Sequence, residues 1–181
     1  MKKLKLLIYP FLFVSIITLS CEKDDICAEG TPTTPEMIIR FYDLASQNET
    51  KTVSQLYAYA LDDSNNVINI NGLSIASRDS LGIPLRTDDN STRFVLHQDF
   101  DIDDNDTPED TSDDIVLGNP DVITVNYERE DVYVSRACGF KTIFNNISFE
   151  VELDGDNWII NSEITNANVD NENSAHVKVF H

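Results

Sequence analysis

With 181 residues, 32 Asp and Glu against 13 Lys and Arg, and a formal charge of −19, the chain is the size of one ordinary domain. Such a charge is repelled by nucleic acid and by anionic lipid. Apolar residues make up 41% of the chain and come in short regular blocks, a pattern that excludes a disordered polymer.

The first twenty residues predict a signal peptide. Lys2, Lys3 and Lys5 precede an apolar run over residues 6–19, too short for a comfortable permanent span. The run ends at Ser20-Cys21, which resembles the cleavage site of a bacterial lipoprotein signal, although Thr18 stands where that pattern favours Leu. On this reading Cys21 carries lipid, and more than one acyl chain is needed for a stable anchor. The alternative is a plain signal peptide cut a few residues later. Cys21-Glu22-Lys23-Asp24-Asp25 resembles the export signal that sends Bacteroidota lipoproteins to the outer face of the outer membrane; otherwise it is a solvated acidic linker. No second long apolar span follows, so lipid is the only membrane attachment the sequence offers. Cleavage before Cys21 leaves 161 residues with a charge of −22.

Residues 21–35 form a lipidated tether, with Gly30-Thr31-Pro32-Thr33-Thr34-Pro35 as turn-rich sequence. Cys27 and Cys138 remain in an oxidising compartment. One bridge between them closes a loop of about 110 residues and staples the tether to a late strand; free thiols or a bond to another chain are the alternatives.

From residue 36 to residue 181 the chain reads as one β-domain. Strands are predicted at 37–42 and 53–61, with a turn at 62–66. Asn71-Gly72 predicts a hairpin between residues 67–70 and 73–75. Pro84 marks residues 82–85 as an edge or a strand start. Further strands are predicted at 92–97, 122–127, 132–140, 147–153, 158–160 and 175–180, and the alternation over residues 147–153 is nearly perfect. Strands of this length, broken by Asn, Asp and Gly turns and with no amphipathic helix, predict an all-β fold, an antiparallel immunoglobulin-like β-sandwich of eight or nine strands.

Between two of these strands lies the acidic loop 99–114, with nine acids in sixteen residues and no Lys or Arg between Arg93 and Arg129. Crowded carboxylates raise one another's proton affinity, and Ca2+ relieves that repulsion through oxygen ligands. Asp101, Asp103, Asn105 and Glu109 fall at positions one, three, five and nine of a calcium loop, and Asp113 lies next to position twelve. The required Gly at position six is Asp106. The competing expectation is a solvated loop.

No hydrolase pattern stands out. Ser-His-acid catalysis needs a positioned histidine. His97 reads as a strand-end surface residue beside the acidic loop, and His176 and His181 belong to the end of the chain. No zinc spacing and no phosphate loop occur. The expectation is a protein without enzymatic activity. Arg40 and Arg136 read as side chains with packed stems and solvated heads. Tyr57, Tyr59, Tyr127, Tyr133 and Trp158 fill the core or form a binding shelf. Asp79-Ser80-Leu81 resembles the O-glycosylation sequon of exported Bacteroidota proteins, with Ser80 as acceptor.

Three stretches carry a family resemblance: Cys21 to Cys27, Pro32-Thr-Thr-Pro35 before Ile38-Ile-Arg-Phe-Tyr42, and Val132 to Phe140. Together they resemble an uncharacterised lipoprotein family of Flavobacteria, a domain of unknown function of the DUF6452 kind. The resemblance implies similarity over essentially the whole mature chain and brings no catalytic residues with it. The expected role is an accessory or scaffold lipoprotein of the outer membrane, facing the cell exterior. Its expected partners are the membrane, through the lipid, and an outer-membrane β-barrel or another envelope protein. The alternative is a calcium-dependent or glycan-binding surface module.

Overall fold

The computed structural model describes residues 26–31 and 33–181. The proposed signal peptide, the lipid site Cys21 and the export signal lie outside the described residues. Among those described there are ten strands and no helix: β1 (Met37–Tyr42), β2 (Val53–Leu61), β3 (Val67–Asn69), β4 (Ala76–Arg78), β5 (Ser80–Ile83), β6 (Ser91–Asp103), β7 (Ile115–Ser135), β8 (Gly139–Val151), β9 (Asn161–Ile164) and β10 (Val177–Phe180). Among the described residues no helix is therefore long and apolar enough to cross a membrane.

The chain forms two compact units. The larger comprises residues 33–132 and 141–181, and the smaller comprises residues 26–31 with Tyr133–Phe140. In the larger unit the sheet order is β5-β1-β10-β9 on one side and β3-β2-β6-β7-β8 on the other, with β4 also paired to β2. Alternation explains which face each strand buries. Met37, Ile39 and Phe41 of β1, Phe94 and Leu96 of β6, Ile123 and Val125 of β7, and Val177 and Val179 of β10 join one apolar core, which makes the arrangement a sandwich. Trp158 ties the two sheets together. Its ring lies 6.0 Å from Phe41 of β1, and its indole N–H donates to the carbonyl of Leu96 in β6 over 3.0 Å.

The all-β sandwich agrees with the expectation, with four corrections. First, β1 and β10 pair in parallel, Ile39 opposite Val177, so the sheets are not wholly antiparallel. The strand orders make two sheets of a sandwich without establishing the ABED and CFG arrangement of an immunoglobulin domain. Second, the Asn71-Gly72 turn forms, but residues 73–75 are not a strand. Val67 to Asn69 instead pair back onto the long strand β2, Tyr59 opposite Asn69, because the Asp62–Asn66 turn returns them there first. The Asp62 carboxylate caps that turn by accepting from the backbone N–H groups of Ser64 and Asn66. Third, residues 158–160 are not a strand, and β9 begins just after them. Fourth, residues 132–140 are broken by a turn at 136–138, closed by Gly139 at φ +71°.

The parallel pair is fixed by His176. Its backbone N–H donates to the Ile38 carbonyl over 2.8 Å, and its ring Nδ1 accepts the Ile38 N–H over 2.9 Å. The ring proton therefore sits on Nε2. Burial holds the pKa of His176 below the ordinary histidine value, although Asp170 and Glu172 pull the other way. His97 and His181 are shifted down by burial as well. A histidine whose folded pKa is lowered contributes stability that is complete above its unfolded value of about 6.5 and is lost as pH falls towards the folded value. The urea midpoint is accordingly expected to fall between pH 7.5 and 5.5, and His176→Gln is expected to flatten part of that slope. A wild-type midpoint that stays constant over this range would show that these rings are not held neutral.

Candidate functional site

The structure joins the two predicted cysteines. Cys27 and Cys138 form a disulfide with a Cα–Cα distance of 4.8 Å. Cys138 lies in the β7–β8 turn and not in a strand, where its N–H donates to the Ser135 hydroxyl. Ser80 is exposed on β5, the edge strand of the first sheet, and its hydroxyl makes one long bond, 3.3 Å, to the Ile39 carbonyl. Arg136 is exposed. Arg40 reaches Asp79 over 3.9 Å with both side chains half in water, a contact of little energetic weight.

Residues 99–114 are less of a loop than the sequence predicts. β6 runs on to Asp103 and β7 starts at Ile115, with Ile102 opposite Val116. Pairing of β6 with β2 stops at His97. Past the end of β8, the Glu152 N–H donates to Val122. The β6–β7 ribbon therefore continues through residues 101–103 and 115–117 with both outer edges free of these neighbours. Ile102, Ile115, Val116 and Leu117 of this arm are exposed. Its acidic tip is held by its own side chains. Asp101 Oδ1 accepts the Ile102 N–H, and Asp103 Oδ1 accepts the Asn105 N–H. The Asn105 amide donates to the Asp113 carbonyl, and the Thr107 hydroxyl donates to the Asp113 carboxylate. Glu109 is exposed. Among the described residues no three or more His, Cys, Asp or Glu side chains converge as metal ligands, so the five predicted calcium ligands are not gathered in this arrangement.

The arm begins at a bulge. Between Gln98 and Asp101 the register shifts, Asp99 takes φ +53° and Gly118 takes φ +106°. A Cβ on Gly118 would lie 2.5 Å from the Gln98 carbonyl oxygen, so this position requires glycine. Gly118→Ala is expected to cost about 1–3 kcal/mol and to speed hydrogen exchange in the arm. Unchanged exchange and melting temperature would show that the bulge does not set the arm.

His97 sits at the foot of this bulge. It is 3% exposed rather than a surface residue, and its ring faces the backbone of Leu117 and Gly118 without a hydrogen bond of good geometry to either nitrogen. The ring is covered edge-on by Phe100 at 4.9 Å. Alternation puts it on the outer side of its sheet, since its neighbour Leu96 points into the core. Tyr57 lies opposite His97 on β2 and stacks against both Tyr59 and Phe100, at 5.3 and 4.7 Å. The five aromatic residues thus divide. Tyr127 and Trp158 are buried, Tyr57 and Tyr59 form a half-buried shelf, and Tyr133 is exposed.

A cleft of about 650 Å³ opens elsewhere in the same unit, lined by Leu61, Ile68, Ile70, Pro84, Leu85 and Phe94. Its volume suits a small molecule. The cation at its rim, Arg86, is held by Asp63, Asp88 and Asp89, so its charge is already matched and it is no anion trap.

A family model described as a family of unknown function (DUF6452) matches residues 54–181. The match starts inside β2 and takes in Cys138 but not Cys27, a narrower span than the resemblance implies. No curated protein and no solved structure matches the chain.

Proposed function

Because the chain belongs to DUF6452, a family without an assigned function, its role must be read from its own surface, and we propose that it is a non-enzymatic, lipid-anchored outer-membrane protein that serves as an accessory subunit of an envelope complex. The β6–β7 arm carries this reading. A two-stranded ribbon with open edges and four exposed aliphatic side chains offers the main-chain groups and the apolar contacts that strand-pairing partners use. The acids at its tip favour a partner with a basic rim. The N-terminal sequence supports the membrane part of the reading through Ser20-Cys21 and the acidic residues that follow.

The test is a mild-detergent pull-down from native membranes, compared with an unrelated tagged lipoprotein. A stoichiometric envelope protein that is retained by wild type and lost by the double variant Ile102→Asp, Val116→Asp supports the proposal. A solitary protein, or a partner indifferent to the arm, overturns it.

A second reading, a glycan-binding module, is favoured by the Tyr57–Tyr59–Phe100 shelf, since flat aromatic faces stack on apolar faces of other rings. The acidic sequence directly after Phe100 would make such binding calcium-dependent. Glycan titration with and without millimolar Ca2+, on wild type and Tyr57→Ala, separates this reading from the first.

A further inference from the structure

The smaller unit has a composition unlike the rest of the chain. Residues 26–31 and 133–140 hold a single acid, Glu29, and a single base, Arg136, in a protein with a formal charge of −19. Three large apolar side chains in this short span stand in solvent: Ile26 is 82% exposed, Phe140 68% and Tyr133 59%. Tyr133 and Phe140 pack edge-to-face at 5.4 Å, one from the end of β7 and the other from the start of β8, on the two sides of the turn that contains Cys138. The disulfide binds Cys27, and with it Ile26, to the same turn. A covalent staple thus gathers an aromatic pair, an isoleucine and one arginine on a neutral patch that water alone does not favour.

The length of chain before the staple indicates what covers it. Six Cα steps separate Cys21 from Cys27, and an extended chain spans at most about 3.6 Å per residue, so Cys27 lies within about 22 Å of Cys21. If Cys21 bears acyl chains, the stapled turn is confined to the neighbourhood of the bilayer surface. Tyrosine is enriched at the membrane–water boundary, and a long arginine side chain lays its stem along apolar surface while its head stays in water or at phosphate level. The turn's own neutrality matters here, because the acids that flank it, Glu22, Asp24 and Asp25 before Cys27 and Glu130 and Asp131 before Tyr133, are repelled by an anionic surface and favour a zwitterionic one. We propose that the stapled turn is a membrane-contact surface, with Ile26, Tyr133 and Phe140 seated at the boundary between headgroups and acyl chains of a phospholipid bilayer. This inference rests on the lipid-anchor reading. It adds a second attachment to the first.

The experiment uses the full lipoprotein made in its native membrane, carrying Phe140→Trp, purified and reconstituted into phosphatidylcholine vesicles. Intact mass of the N-terminal peptide and flotation with the vesicles report the anchor. Emission of the new tryptophan, with wild type as the Trp158 baseline, reports the contact when the lipid is exchanged for phosphatidylcholine brominated on its acyl chains. The expected result is an acylated Cys21, flotation, and at least a twofold loss of the added emission in brominated vesicles. Acylation and flotation without quenching would overturn the membrane contact and leave the anchor standing. An unmodified Cys21 with no flotation would overturn the anchor, and the contact with it.

Discussion

Replacing Cys27 and Cys138 together by serine is expected to lower stability by about 4–5 kcal/mol. The bridge links residues 111 apart, and freeing so long a loop returns that much chain entropy to the unfolded state. The Cα–Cα distance of 4.8 Å lies within the range that suits a disulfide. Urea unfolding of wild type and the double variant, both purified without reductant, measures the effect. The midpoint should fall and the m-value should rise, because an uncrosslinked unfolded chain exposes more surface. A midpoint shift worth less than about 1 kcal/mol would mean that the closed loop hardly restricts the unfolded ensemble.

The second large effect is expected at Asp121. This carboxylate is fully buried in β7 and accepts two backbone N–H groups, from Ile159 over 2.8 Å and from Trp158 over 3.4 Å. Burial raises its pKa above the ordinary aspartate value, against the effect of those bonds. The sign for folding follows. A carboxyl with a raised folded pKa favours the native state most at pH below its unfolded value of about 3.9, and that contribution is lost as pH rises through the folded value. At neutral pH Asp121 therefore serves as an acceptor for two donors that have no water to turn to. Asp121→Ala strands both and is expected to cost about 2–5 kcal/mol. Asp121→Asn keeps one acceptor oxygen and should fall between wild type and alanine. Trp158 is the single tryptophan, so its emission should shift to the red in the alanine variant. An alanine variant within about 0.5 kcal/mol of wild type, with unshifted emission, would show that this clamp does not hold the 158–159 segment.

Asp121 also shows what the sequence made legible and what it hid. Its parity matches Ile123, Val125 and Tyr127, all of which point inward, so alternation alone placed it in the core; its charge argued for a loop and obscured the signal. The disulfide was readable because only two cysteines follow Cys21. Strands with clean alternation, such as residues 122–127, were readable for the same local reason. His97 was not, because its burial depends on a bulge across two strands and on Phe100 folding back over the ring. The acidic stretch is a loop over residues 104–114, as its composition suggests, but residues 99–103 are strand, because pairing across the ribbon overrides the weak strand propensity of Asp101 and Asp103. The parallel partnership of β1 and β10 leaves no trace in either strand's own pattern, since register between distant strands is a property of the assembled sheet.

That partnership also sets an order of events. β1 pairs on one edge with β5, about forty residues on, but its other edge meets β10, and the bonds between Ile38 and His176 join residues 138 apart. During folding β1 therefore has an open edge until β10 docks. Closure of so distant a contact is slow, and in the interval the strand bearing Met37, Ile39 and Phe41 is a template for any other extended chain. Until its last strand docks, a folding molecule of this protein exposes that edge to its siblings.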